Sequence, residues 1–209
     1  MKNKLKFMGA LCAAAILASC SGEAKKADDN SACNVNKADV VIENIMTRTS
    51  IRQFTDQPIA KDTLDLLVKA GMAAPSAVNA QPWAFVVVTD RAVIDSLNAV
   101  KPYFNLKTAT AAIVVCGDLN KAMEGDGREY WVQDCSAVTE NILLAAHGLG
   151  LGAVWCGVYP IQQTVEGVSK TLNLPETIIP LDVVTLGYPA ENPEPKDKWK
   201  PELIHYNQW

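Results

Sequence analysis

The sequence predicts a layered fold of mixed helix and strand, one sheet covered on both faces, and three observations carry that prediction. AFVVVT (84–89) and AAIVVCG (111–117) are continuous apolar, largely β-branched runs, the pattern of strands buried on both faces. EYWVQDCSAVTENILLAAH (129–147) is the longest helical segment, and its second half is apolar nearly all round, so it belongs at the centre of the molecule. Helices and strands are interspersed, with two helices ahead of the first strand, which defines an α+β or α/β layer structure and leaves strand direction open.

The elements follow in order. Residues 1–19 hold three lysines, an apolar run from Phe7 to Ala18 and small residues, and LASC ends at Cys20. This is the order of a secretory signal whose end resembles a lipobox, so the expectation is a signal peptide over 1–19, a lipid-modified Cys20, and a lipoprotein anchored in the cell envelope, its only contact with a membrane. Residues 20–37 are polar and lack apolar periodicity, which predicts a flexible tether. The remaining 38–209 are long enough for one domain with its own core.

Within that domain, Val41, Ile42, Ile45 and Met46 share one face of a short helix over 38–46, with Asp39 near its start. Asp62 or Thr63 can cap a second helix, with Leu64, Leu67, Val68 and Met72 on one face and Pro75 forbidding its continuation. After the strand at 84–89, DRAVIDSLNAV reads as a helix capped by Thr89 or Asp90. Residues 118–128 are a solvated turn, because EGDGRE lacks the ligand series of a calcium loop. The glycines of GLGLG (148–152) stop the central helix and allow a close backbone approach. A helix near 161–172, stopped by Pro175, and the strand PLDVVTLGYP complete the domain. The tail from 190 to 209 is rich in proline and charge yet ends LIHYNQW, an ending suited to docking on an apolar surface.

Composition narrows the function. The formal charge of −4 becomes −7 when the signal removes three lysines and no acid, and no basic stripe is present, which argues against nucleic acid as a partner. Beyond Cys12 in the signal and Cys20, the chain retains Cys33, Cys116, Cys135 and Cys156 without a CxxC pair; Cys116, Cys135 and Cys156 read as small buried apolar residues, with a disulfide left open. Only His147 and His205 are available as bases, and there is no GxSxG elbow, HExxH or phosphate-binding P-loop. GLGLG follows a helix and precedes a strand, the reverse of a dinucleotide fingerprint. No metal site is expected, and any redox or transfer chemistry would have to be carried by a cofactor.

Two loops are suited to holding one. In TRTSIRQF (47–54), Arg48, Ser50 and Arg52 alternate, so an extended chain presents two guanidinium groups and a hydroxyl on one side, a set suited to a phosphate. In PSAVNAQPW (75–83), Pro75 ends a helix, Asn79 can donate and accept, and Pro82-Trp83 leads into a strand.

RTSIRQF, APSAVNAQPWAFVVV, LLAAHGLGLGAVWCGVY and KDKWKPELIHYNQW occur together in the order and spacing of the nitroreductase family of flavin mononucleotide (FMN) enzymes, which residues 38–209 resemble throughout. The resemblance implies an α+β three-layer fold with a mainly antiparallel central sheet and an interlocked homodimer with exchanged C-terminal segments. It also implies two FMN sites built from both chains. By the same resemblance Arg48 contacts the FMN phosphate and Ser50 the phosphate or ribityl chain. Arg52 lies near flavin N1 and O2, where a fixed cation stabilises the charge that appears on reduction. Thr49 stands where many members carry a second basic residue. Pro75, Ser76 and Asn79 border the ring and ribityl groups from the other subunit. Cys156 and Gly157 match the segment that passes the ring, and Lys198, with Lys196 as a weaker candidate, matches a basic phosphate ligand that is usually Arg. The implied reaction is ping-pong: NAD(P)H reduces the flavin at N5, and nitroaromatic, quinone or flavin-like small molecules reoxidise it, with no catalytic side chain required. An envelope location leaves NAD(P)H without a source, and the alternative is a flavin-binding or redox-sensing envelope lipoprotein without rapid turnover.

Overall fold

The computed structural model describes residues 36–209, so residues 1–19, where a signal peptide is expected, Cys20, Cys33 and nearly all of the expected tether lie outside the described residues. Nine regular elements form: α1 (Lys37–Thr47), α2 (Lys61–Gly71), β1 (Trp83–Val88), α3 (Arg91–Val100), β2 (Ala111–Asp118), α4 (Tyr130–Gly148), β3 (Gly152–Gly157), α5 (Gln162–Leu172) and β4 (Ile178–Gly187). The strands make one sheet in the order β1-β2-β4-β3, every neighbouring pair antiparallel. The α+β expectation therefore holds, and the strand direction that the sequence left open is resolved.

Side-chain alternation along the sheet builds three layers. Ala111, Ile113 and Val115 of β2 face one way and pack with Leu67 of α2 and Val138 and Ile142 of α4. Ala112, Val114 and Cys116 face the other way and pack with Leu97 of α3 and Val168 of α5. Burying each such Val, Ile or Leu contributes about 1.5–3 kcal/mol. Because β2 lies inside the sheet, its continuous apolar run is needed, one set of side chains for each helical layer; β4, also inside, is apolar apart from Asp182 and Thr185.

Several expectations need correction. β1 pairs only with β2 and is an edge strand, leaving Val87 40% exposed, so its apolar run does not mark burial on both faces. The expected place of Asp39 near the start of α1 holds, in the first turn, and the cap is Asn36, whose side chain accepts from the Ala38 N–H. Neither Asp62 nor Thr63 caps α2, which starts at Lys61 after Ala60 without a side-chain cap. α5 ends at Asn173, whose left-handed φ of 51° terminates the helix before Pro175 is reached. Asp90 does cap α3, accepting from the Val93 N–H at 3.1 Å. The apolar face of α1 buries nothing in its own chain: Val41, Ile42, Ile45 and Met46 are all exposed.

One carboxyl group is fully enclosed in the core. Asp182 of β4 is fully buried, and its Oδ2 lies 2.8 Å from Thr139 Oγ1, which is also 2.9 Å from the Cys135 carbonyl oxygen. The single Thr139 hydroxyl hydrogen goes to that carbonyl if Asp182 keeps its proton and donates to Thr139. Burial pushes the Asp182 carboxyl well above its ordinary range, which favours this protonated arrangement; a Thr139 hydroxyl turned toward the carboxylate works the other way. The same burial pushes the neighbouring Cys116 thiol up to about 12, and the described cysteines Cys116, Cys135 and Cys156 are free and buried. Among the described residues no helix is long and apolar enough to cross a membrane, and no cluster of metal-ligating side chains occurs.

The raised Asp182 has a sign consequence. Above roughly pH 4 the unfolded chain has released this proton while the folded chain retains it, so stability from this group falls as pH rises until the folded group itself ionises. Asp182→Asn removes that slope. Urea unfolding of the two proteins should agree near pH 4, and the Asn variant should gain stability over the wild type as pH rises from there toward 7.

Candidate functional site

Three parts of the chain that are distant in sequence meet at one end of the sheet. α1 finishes at Thr47; the Arg48 N–H still bonds to the Asn44 carbonyl, and from Arg48 onward the backbone is extended. This extended segment lies against the starts of β3 and the end of β4. The Ile51 N–H donates to the Ala153 carbonyl at 3.0 Å, and Phe54 makes a bridge to Pro189 just beyond β4. Glu191 completes the seam, one carboxylate oxygen accepting from the Arg52 N–H at 2.5 Å and the Gln53 N–H at 3.1 Å.

Two glycines make this approach possible. A Cβ on Gly152 would stand 2.6 Å from Ile51 Cγ2, and one on Gly187 would stand 2.7 Å from Phe54 Cβ, so at neither position does a side chain fit. Gly150, at φ +73°, turns the chain from α4 into β3. The expected helix stop and close backbone approach in GLGLG are thus divided between Gly150 and Gly152.

Seated in this way, Arg48, Thr49, Ser50 and Arg52 line a cavity of about 190 Å³ with Lys196, Lys198, Pro193 and Glu194 of the tail. Four cationic side chains converge on it against one carboxylate, which makes it an anion site. Arg48 is the most enclosed, its side chain 17% exposed, and its Nε lies 3.8 Å from Glu140 of α4. Beside it His147, in the last turn of α4, has Nε2 2.9 Å from Thr47 Oγ1. The Thr47 hydroxyl donates to the Glu43 carbonyl at 2.7 Å, so His147 Nε2 carries the hydrogen of this contact. Burial and, after it, the Arg48 charge lower the His147 pKa, so the imidazole stays neutral at pH 7 and adds no charge to the anion site.

The other site residues expected from sequence lie elsewhere. Trp83, Gly117 and Gly157 share the opposite end of the sheet, by the register of the four strands. Gly157, the last residue of β3, is exposed with open space where a Cβ would be. Its neighbour Cys156 is fully buried and points into the core beneath Phe104; burial pushes its thiol up, and the Arg52 guanidinium works the other way.

The 75–82 loop enters the sheet at Trp83. Pro75, Ser76 and Asn79 lie outside the Arg48 cavity in this chain. Ser76 Oγ accepts from the Gln81 N–H at 3.0 Å, and Asn79 Oδ1 from the Gln81 side chain at 3.1 Å, so both polar groups first shape their own loop. Asp134 of α4, buried at 7% exposure, accepts from the Ala77 N–H at 2.8 Å. Sequence reasoning missed Glu191, Glu194 and Asp134. The first two sit in a charge-rich tail without periodicity, and Asp134 is one polar position on an otherwise regular helix.

A four-stranded antiparallel sheet thus lies between two helical layers, with a cationic cavity toward one end and a bare glycine strand end at the other. The model of the nitroreductase family matches residues 45–101 and 98–188, and the chain belongs to that family. A Methanothermobacter thermautotrophicus protein, assigned provisionally as an NADH dehydrogenase/NAD(P)H nitroreductase, is 46% identical over 177 residues, 84% of this chain and 90% of its own. A Parabacteroides distasonis crystal structure with the same provisional assignment is 44% identical, covers 81% of this chain and 99% of its own, and superposes with a TM-score of 0.77. An FMN-dependent nitroreductase from Clostridium difficile is 28% identical, with a TM-score of 0.73 over 80% of this chain and 99% of that one.

These comparisons overturn the location expected from the first twenty residues. The relatives that match the domain are assigned by their use of NADH or NAD(P)H, the donors for which an envelope location offers no source. The cell-envelope location is withdrawn.

The seam itself is open to test. Gly187→Ala forces Phe54 Cβ away and should cost about 1–3 kcal/mol in unfolding free energy, the range for overpacking a fitted site. Gly157→Ala meets open space and should change stability by less than about 0.5 kcal/mol. Thermal unfolding of both variants checks the contrast.

Proposed function

We propose that this chain is an FMN-dependent NAD(P)H oxidoreductase that acts as a homodimer. The observation that carries this reading is the anion cavity, which gathers Arg48, Ser50, Arg52, Lys196 and Lys198 from opposite ends of the domain. Its volume is below the roughly 300 Å³ at which pockets for whole small-molecule ligands begin, and it suits a phosphate end only. The forked donors of Arg48 hold the phosphate with the Ser50 hydroxyl, and Lys196 and Lys198 add charge without a fork. Thr49 contributes a hydroxyl where a second cation is common in the family.

Arg52 is the fixed positive charge for the pyrimidine edge of the ring, and Gly157 is where backbone can approach the ring because no side chain intervenes. Bound FMN supplies the hydride-accepting and hydride-donating chemistry, so this chain's residues bind, orient and tune. NAD(P)H is the donor and nitroaromatics, quinones or flavins are the acceptors, each visiting the same open face in turn by a ping-pong mechanism.

The dimer reading is supported by what one chain leaves uncovered. Val41, Ile42, Ile45 and Met46 of α1 are exposed, as are Trp199, Leu203, Tyr206 and Trp209 of the tail, Trp209 completely. A second copy receiving these residues covers both sets. It also brings a 75–82 loop, with Pro75, Ser76 and Asn79, to the cavity of its partner.

Purified protein should be yellow, with one FMN per chain, and anaerobic NADH or NADPH should bleach it; colourless protein that cannot be reconstituted with FMN contradicts the reading. Arg48→Ala should weaken FMN binding about 10- to 100-fold, the loss of a charged hydrogen bond, as measured by flavin fluorescence titration. Arg52→Ala should mainly lower the flavin midpoint potential, and an unchanged potential removes Arg52 from the pyrimidine edge. Gly157→Ala, although neutral for stability, should weaken FMN binding in the same titration.

A further inference from the structure

The 75–82 loop has a backbone that its sequence does not favour. Val78 sits at φ 47°, ψ 21°, Asn79 at φ 59° and Gln81 at φ 51°, three left-handed residues within four, none of them glycine. Asn tolerates this region through its short polar side chain, whereas a β-branched residue there is a steric outlier. Val78 gains nothing by burial in exchange, being 79% exposed. Something outside the strained residues must therefore hold the loop in place.

Most of the loop's bonds are internal: Asn79 N–H to the Ser76 carbonyl, Ala80 N–H to the Ala77 carbonyl, and Gln81 N–H to Ser76 Oγ. Such bonds fix a shape but do not attach it to the body of the protein. At its far end the loop joins the sheet, where the Pro82 carbonyl accepts from the Asp118 N–H at 2.7 Å. At the strained end one bond from a different element reaches it, the 2.8 Å acceptance by Asp134 Oδ1 from Ala77 N–H, immediately before Val78. Asp134 lies in the buried face of α4 beside Trp131 and Cys135, so the helix that fills the core fixes its position. A carboxylate accepting from a backbone N–H away from water is a charge-assisted bond, about twice as strong as a neutral one.

We propose that Asp134 is a positioning residue of the FMN site: its buried carboxylate clamps the Ala77 amide and thereby holds Val78 and Asn79 in the left-handed conformation that presents the loop to the ring. The proposal rests on the reading of this loop as a wall of the FMN site. Asp134 touches neither ligand nor reacting atoms; it acts through the backbone of 77–79. Strain of this kind persists at ligand clamps because the surroundings over-determine it, and here the over-determining contact is identified.

The test uses full-length protein as purified: wild type, Asp134→Asn, Asp134→Ala, and Asp134→Ala with Val78→Gly. Two quantities are read, the rate of FMN release by recovery of free-flavin fluorescence and hydrogen exchange resolved at the Ala77 amide. Exchange at Ala77 should be slowest in wild type, faster in Asp134→Asn, whose amide oxygen keeps a weaker neutral bond, and about tenfold or more faster in Asp134→Ala. FMN release should follow the same order. Val78→Gly should recover part of the loss in the Asp134→Ala background, because glycine adopts the left-handed region without cost.

Equal Ala77 exchange in wild type and Asp134→Asn overturns the clamp, and that comparison stands even if Asp134→Ala does not fold. Faster Ala77 exchange with FMN release unchanged refutes the link to the site. A role in general stability alone would speed exchange across α4 as well and show no recovery with Val78→Gly, which also refutes the proposal. Failure of the underlying reading is separate, since it appears as wild-type protein that binds no FMN, whatever the exchange pattern.

Discussion

The seam between the extended segment 48–54 and the end of the sheet is the constraint on which the site depends. It consists of one backbone bond from Ile51 to Ala153, a bridge from Phe54 to Pro189, and the Glu191 carboxylate gripping two consecutive amides. It closes only because Gly152 and Gly187 lack side chains. Moving the segment outward by the width of a methyl group would carry Arg48, Ser50 and Arg52 away from the lysines of the tail, and four like charges would no longer surround one anion. The like charges repel one another when no anion is bound, so the cavity's shape must be maintained by the fold. The seam and the Glu140 contact to Arg48 provide that support.

The sheet also sets the spacing of the elements around the site. Gly152 and Gly157 are the ends of one six-residue strand, about 17 Å apart at the usual strand rise, with the glycine seam at one end and the bare backbone at the other. The strained loop enters beside Gly157's end of the sheet, on the far edge strand. A ligand with a phosphate at one end and a planar ring at the other fits such a spread of chemistry, and in the proposed dimer the second copy brings the loop to it. Where a chain leaves α1 and its tail aromatic residues exposed, association removes apolar area from water in proportion to the surface covered.

Much of the fold was legible because it is written in period and composition. The run in β2 and the all-round apolar half of α4 announced a doubly covered sheet, and alternation within β2 now explains why both parities had to be apolar. The edge position of β1 was not legible, since an apolar run does not state how many neighbours it has. Helix ends were read from residue types, which succeeded at Asp90 and failed at Ala60, where backbone geometry alone starts the helix. Of the site, the alternation of Arg48, Ser50 and Arg52 and the lysines at 196 and 198 were visible. Glu191 and Asp134 were not, because each acts by accepting from a backbone amide far away in sequence, and a contact of that kind has no local pattern. The left-handed backbone at Val78 was equally hidden, being contrary to what its own side chain favours.

The central claim is that the site is complete only when two chains share it, with the phosphate grip from one and the loop from the other. The most direct measurement is FMN binding by mixed dimers in which one chain carries Arg48→Ala and the other Asn79→Ala, compared with each variant alone. Each variant alone spoils both sites of its dimer. In the mixed dimer both lesions fall in one site and the other is intact, so the account predicts recovery of one tight FMN site per two chains. Mixed dimers that bind no better than the average of the two single-variant dimers would contradict it.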